Sequence, residues 1–307
     1  MNTQLNSTAE SFASAAAEPA PTLMTHPFYW SVRRELWENR SVYLAPLGIA
    51  AIFLLGFVIT TIHGGRMRGL WMGAHSHDVS VTPYDMVAGL MMLTTMLVNV
   101  FYCADALYGE RRDRSILFWK SLPVSDLTTV LAKASVPLVI VPLVAWAIAV
   151  AAQWVMLLLN SAALLASGSS VSALWTDLSF FRMSLLLLYH ILTAHTLWPA
   201  PVYCWLLLVS GWARRATLLW AALPVIAIGG LEAIVFHTWH FAALVGTRLI
   251  GAAPAIDLRS SDTLPTNPMT HITPANFLIT PGLWIGLAFC AICLAAAVRL
   301  RRYQGPI

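Results

Sequence analysis

The stretch ADALYGERRDRSILFWKSLPVSDLTTVLAK, Ala104 to Lys133, is the only long polar interruption between hydrophobic runs that also carries apolar side chains of its own. Five of the 18 Lys and Arg lie in it, Arg111, Arg112, Arg114, Lys120 and Lys133. Basic residues accumulate on the cytoplasmic side of a membrane, so the segment is expected there. The cluster Ile116, Leu117, Phe118 and Trp119 is costly to leave in water, and a loop that only joins two spans can be short and polar. The segment is therefore expected to dock against something. Pro123 cannot continue a helix, so Ser121-Leu122-Pro123 is a predicted stop; Ser125 and Asp126 then supply a cap and a first-turn carboxylate for the next helix.

Working outward, 58% of the chain is hydrophobic and only 10% charged, against roughly 25% charged in soluble domains. This composition excludes an ordinary water-soluble globule. The net charge of +4 is carried by short clusters at the ends of apolar runs. That is a topology signal and argues against nucleic-acid binding. Cys103, Cys204, Cys290 and Cys293 all fall inside apolar runs. They read as small helix residues and not as a disulfide, redox or zinc framework.

Residues 1–24 read as a disordered tail, rich in Ala, Ser, Thr and Pro and without a basic residue. From Thr25 to Arg40 an amphipathic interfacial helix is expected, with Tyr29, Val32, Leu36 and Trp37 on one face and Arg33, Arg34, Glu35, Glu38 and Asn39 largely on the other. Six spans follow, at about 43–62, 86–107, 130–160, 180–210, 218–236 and 281–298. Each holds roughly 20 apolar residues, which at 1.5 Å per residue match a hydrocarbon core of about 30 Å.

Pro137 and Pro142 should bend the third span where neighbouring helices can satisfy the freed carbonyls. Lys133 is expected to snorkel to the cytoplasmic interface. Pro199 and Pro201 interrupt the fourth span. His75, His77 and Asp78 in the first outer loop make a weak metal set. His190 and His195, five residues apart, fall off a common α-helical face and read as packing groups. Asn99 in the second span and Glu232 near the outer end of the fifth are polar groups at membrane depth, hence candidates for a translocation path. His240 to Ile256 is apolar enough for a re-entrant or interfacial helix, Ser260 to Asn276 reads as loop, and 303–307 is a short tail. With this topology 13 of the 18 basic residues lie inside, and Arg66, Arg68, Arg182, Arg248 and Arg259 outside. Both termini are then cytoplasmic. The expected fold is an all-α polytopic membrane domain over 25–302.

No phosphate loop, H-E-x-x-H or G-x-S-x-G occurs, so the chain is expected to be non-catalytic and to hold no metal. The run E-R-R-x-R-S-I-L-F-W-K-S-L-P-V-S, Glu110 to Ser125, resembles the ABC-2 type permeases of ATP-binding cassette transporters. So does its setting, which has an amphipathic first helix, Lys133 on the following span, and a long outer segment before the last span. The resemblance implies an exporter subunit of a bacterial inner membrane whose segment 109–125 is a cytoplasmic coupling helix seated in a separate ATPase subunit. Glu110, Arg111, Arg112, Asp113, Arg114, Ser115, Ile116, Leu117, Phe118, Trp119 and Lys120 would be the contact positions. It further implies a second permease chain, as in a homodimer, with surrounding lipid, and with ATP and Mg on the partner. A second reading from a different class is a haem- or metal-handling intramembrane protein or enzyme using His190, His195, His237 and His240. The 13 Trp need no cofactor, since aromatic belts account for them.

Overall fold

Twenty-two residues from Ser41 to Ile62 carry no charged side chain and form one continuous helix, about 33 Å long at 1.5 Å per residue. The computed structural model describes residues 27–62, 82–122, 124–166, 171–172, 175, 180–250, 274–303 and 305. All regular structure among them is helical. The elements are α1 (Pro27–Glu38), α2 (Ser41–Ile62), α3 (Thr82–Asp105), α4 (Tyr108–Arg112), α5 (Ser115–Ser121) and α6 (Asp126–Ser135). Then come a π-helical turn π1 (Val136–Ile140), α7 (Val141–Ala166), α8 (Phe180–Leu192), a second turn π2 (Thr193–Leu197) and α9 (Ala200–Trp212). The chain ends with α10 (Thr217–Phe236), α11 (His240–Ile250), α12 (Pro274–Ile279) and α13 (Pro281–Tyr303).

Six helical stretches are long and apolar enough to cross a membrane: Ser41–Ile62, Pro83–Arg112, Asp126–Ala166, Phe180–Leu197, Thr217–Phe236 and Pro281–Tyr303. The chain is thus a multi-pass all-α membrane protein. Boundaries move from expectation at four spans: the fourth ends at Leu197, with Ala200–Trp212 a separate shorter helix, and the sixth continues to Tyr303. The second span runs on through Glu110 to Arg112, so the charged motif begins on the span itself. The third starts at Asp126, directly after Ser125, whose Oγ accepts the Thr128 N–H at 3.1 Å as the sequence predicts for a cap. The 1–24 tail, Thr25, the first outer loop with His75, His77 and Asp78, Pro123, and 251–273 with the expected loop lie outside the described residues.

α2, α3 and α7 pack as one group, α9 and α13 form the most extensive pair, and α3 also contacts α9 and so joins the two. On α7 the buried stripe Val141, Ala145, Ala149, Ala152, Met156 follows helical spacing. Its small alanines leave room for the bulky Tyr84, Val87 and Met91 of α3 in the same cluster. Outward-facing residues of α2 and α10 such as Ile52, Leu55, Ile226 and Ile234 are exposed, as a hydrocarbon surrounding requires. Cys204, Cys290 and Cys293 share one cluster between α9 and α13, and all four cysteines are free.

Candidate functional site

At one end of the bundle α1, α4, α6 and the last turn of α13 converge on a set of buried charges. Each carboxylate is supplied by a different element: Glu35 from α1, Glu110 from α4 and Asp126 from α6. The cations are Arg34 from α1, Lys133 from α6 and Arg301 from α13. Lys133 Nζ lies 2.9 and 3.0 Å from the two oxygens of Glu35 and 3.1 Å from Glu110 Oε1. Arg34 Nη2 donates to the same Glu110 oxygen at 2.5 Å and lies 3.2 Å from Glu35. Arg301 Nη1 donates to the other oxygen of Glu110. Its Nε makes a 3.2 Å ion pair with Asp126, without hydrogen-bond alignment. Tyr102 Oη donates to Glu35 at 3.0 Å.

Three formal negative charges thus meet three positive ones, and each compensates another's desolvation. On α1, burial pulls the Arg34 guanidinium down, but the carboxylates of Glu35, Glu110 and Glu38 outweigh it and hold it above its ordinary value. Glu38, half exposed on the rim, is raised because its own desolvation outweighs the Arg34 charge beside it.

The chain reaches this arrangement through one residue in an unusual conformation. Between α4 and α5, Arg114 has φ 57°, in the left-handed region, which costs a non-glycine residue about 1–2 kcal/mol. The reversal turns Ile116 into the protein, where it is 2% exposed, and leaves Leu117 at 58% and Phe118 at 60% on the outside. Trp119 is partly buried, edge-on to Phe118 at 4.9 Å, with the Arg34 guanidinium 3.6 Å above its ring.

The expected contact positions therefore divide. Arg112, Asp113, Arg114, Leu117, Phe118 and Lys120 are exposed, Ser115 and Trp119 intermediate, and Glu110, Arg111 and Ile116 buried. Those last three are internal groups and do not lie on a docking surface. Arg111 Nη1 donates to the carbonyls of Gly211 at 2.5 Å and Ala213 at 3.2 Å, closing the C-terminal end of α9. Lys133 does not snorkel outward but is turned into the network. Arg34 and Glu35, expected on the solvent face of α1, point inward, while Phe28, Tyr29, Trp30 and Trp37 are exposed. The sequence reading missed Arg34, Glu35, Tyr102, Asp126 and Arg301 as one site. The available signal was that each of the four charged ones sits at the margin of an apolar run, where a charge must find a partner or water.

Asn99 and Glu232 are not brought together. Asn99 is fully buried and donates through Nδ2 to the Pro137 carbonyl at 3.1 Å. Glu232 accepts the backbone N–H groups of His240 and Phe241, both at 2.8 Å, and the Thr238 hydroxyl at 2.9 Å, so it caps α11. α11 is held at its other end by Arg248, whose guanidinium stacks 4.0 Å over Trp198 and donates to the Trp198 carbonyl at 2.9 Å and the Gly282 carbonyl at 2.5 Å. The i→i+5 ladder of π2 brings His190 and His195 within electrostatic range despite their spacing. His190 Nδ1 is engaged with the Leu186 carbonyl at 3.1 Å. Among the described residues no group of three or more His, Cys, Asp or Glu is placed to hold a metal. Neither a protein-family model, nor a curated protein, nor a solved structure matches the chain.

Proposed function

We propose that the chain is the permease subunit of an ABC-2 type exporter and that α4 and α5 couple it to a separate ATPase subunit. The observation that carries this reading is the division of one short helix. Leu117 and Phe118 are exposed, while Trp119 on the same helix is clamped by Arg34. An exposed apolar pair flanked by Arg112, Asp113 and Arg114 suits a partner cleft, with the apolar groups as anchor and the charges as rim.

A displacement imposed on α5 passes to α1 through Trp119 and Arg34. From Glu110 on the preceding α4 it passes to α6 through Lys133 and to α13 through Arg301. ATP and Mg sit on the partner, and this chain supplies no catalytic group. A second copy completes the path as a homodimer. The excess of basic residues on the network side supports a bacterial inner membrane location with that side cytoplasmic. The placement of α1 and the end of α13 there supports both termini on that side.

The test is co-expression with an ATPase encoded beside this chain. Leu117→Asp with Phe118→Asp is expected to abolish co-purification and stimulation of ATP hydrolysis while the permease keeps its thermal stability. Undiminished stimulation in that variant, or a haem absorption band in the purified wild type, defeats the proposal.

A further inference from the structure

The third span does not run as a plain α-helix, and the reason lies in which group takes one carbonyl. In π1 the Val141 N–H bonds the Val136 carbonyl, five residues back. Continued in that register, the next amide would serve Pro137, but residue 142 is proline and has no N–H. Asn99 Nδ2, reaching across from α3, takes the orphaned Pro137 carbonyl at 3.1 Å. In an α ladder that same carbonyl belongs to the Val141 N–H, four residues on. The π register leaves this carbonyl to Asn99, whereas the α register serves it from the Val141 N–H, so the Asn99 bond favours the π register.

We infer that Asn99 is a latch that holds the third span in its π register, and that the span has a second, α-helical register which opens the charge network. Moving from one register to the other turns everything N-terminal to Val136 by one residue relative to α7, about 100° and 1.5 Å. Lys133 lies three residues before Val136. In the π register it points at Glu35 and Glu110; a turn of that size carries it off both. α6 and the two short helices before it turn with it.

A second π turn lies at this depth. π2 packs against π1 and likewise ends just before a proline. The Trp198 N–H bonds the Thr193 carbonyl at 2.9 Å, five residues back, and Pro199 lacks an N–H; here the Tyr203 hydroxyl covers the His195 carbonyl at 3.2 Å, which Pro199 cannot serve in an α ladder. Two facing turns, each interrupted by a proline, can yield together, where a continuous ladder cannot. π turns inside membrane helices recur at functional positions, and small shifts are amplified where packing has two arrangements. The inference does not depend on what docks at α5.

The experiment uses the full chain in lipid nanodiscs and a membrane-permeant amine-acylating reagent, with labelling of Lys133 read by mass spectrometry against exposed Lys120. Wild type should label weakly at Lys133. Asn99→Leu should raise Lys133 labelling severalfold, and Asn99→Ser, too short to reach Pro137, should do the same if the leucine variant folds poorly. Thermal unfolding of Asn99→Leu/Lys133→Met should lie near that of Asn99→Leu alone, because the first change already withdraws the lysine. Unchanged Lys133 labelling in both Asn99 variants, or Tm losses that simply add in the double variant, overturns the latch.

Discussion

Lys133 Nζ sits between the two carboxylate oxygens of Glu35, at 2.9 and 3.0 Å, across 98 residues of sequence. While the third span keeps its π register both groups are buried, so removing either side chain leaves the other without water to replace it.

Lys133→Met, which leaves Glu35 and Glu110 short of a cation, is expected to cost about 3–5 kcal/mol, the usual consequence of breaking a buried pair. Glu35→Gln combined with Lys133→Met should cost less than the sum, since the removed charges compensate one another. Denaturant unfolding in detergent measures both. A loss below about 1 kcal/mol for the single variant rules out a desolvated network.

Neighbouring residues on α5 should behave in opposite ways. Ile116→Asp buries a carboxylate beside Arg111 and Arg301, both already committed to Gly211, Ala213 and Glu110, and should destabilise the fold strongly, whereas Leu117→Asp lies on the surface and should shift stability by no more than about 0.5 kcal/mol. Expression yield and melting of the two variants side by side decide the point; equal behaviour contradicts the orientation that Arg114 imposes.

Gly286 faces Arg248 so closely that a Cβ built on it lies 2.8 Å from Nη1 and 2.9 Å from Pro201 Cγ, whereas one on Gly282 meets nothing nearer than 3.6 Å. Gly286→Ala should therefore destabilise by about 1–3 kcal/mol through overpacking, and Gly282→Ala should be milder. Thermal melting of the pair tests the order.

Removal of the cap in Glu232→Ala should speed amide exchange across the first turn of α11 while leaving the global melting temperature nearly unchanged. The half-buried cap serves one short helix and not the core. Protection of His240 and Phe241 equal to wild type would mean the carboxylate is not what holds them.

How far each feature was legible depends on how local its cause is. Ser125 could be read as a cap because it bonds an amide three residues away. Pro137 and Pro142 marked a break in the third span, since a missing N–H is a property of the residue. Whether the break becomes a kink or a π turn depends on a donor for the Pro137 carbonyl, and that donor, Asn99, comes from another helix. On α1, Arg34 and Glu35 fit a solvated face as well as a buried one, because periodicity shows only that they lie opposite the apolar stripe. The aromatic residues turn out to be exposed and the charges enclosed, an inversion possible only because Lys133, Glu110 and Arg301 arrive at the same place.

What the sequence by itself determined is the class of solvent, the number of membrane-long helices and the ends of several of them. Those follow from transfer free energy summed over about 20 consecutive residues and from capping groups within one turn. What only the tertiary structure decided is that Glu35, Glu110, Lys133 and Arg301 neutralise one another, and that Ile116 is hidden while Phe118 is not. A charge or an apolar ring near a membrane surface satisfies local rules equally well facing in or out. The choice is made by whichever opposite charge or packing partner the fold brings within a few ångströms, and that partner here lies as many as 191 residues away.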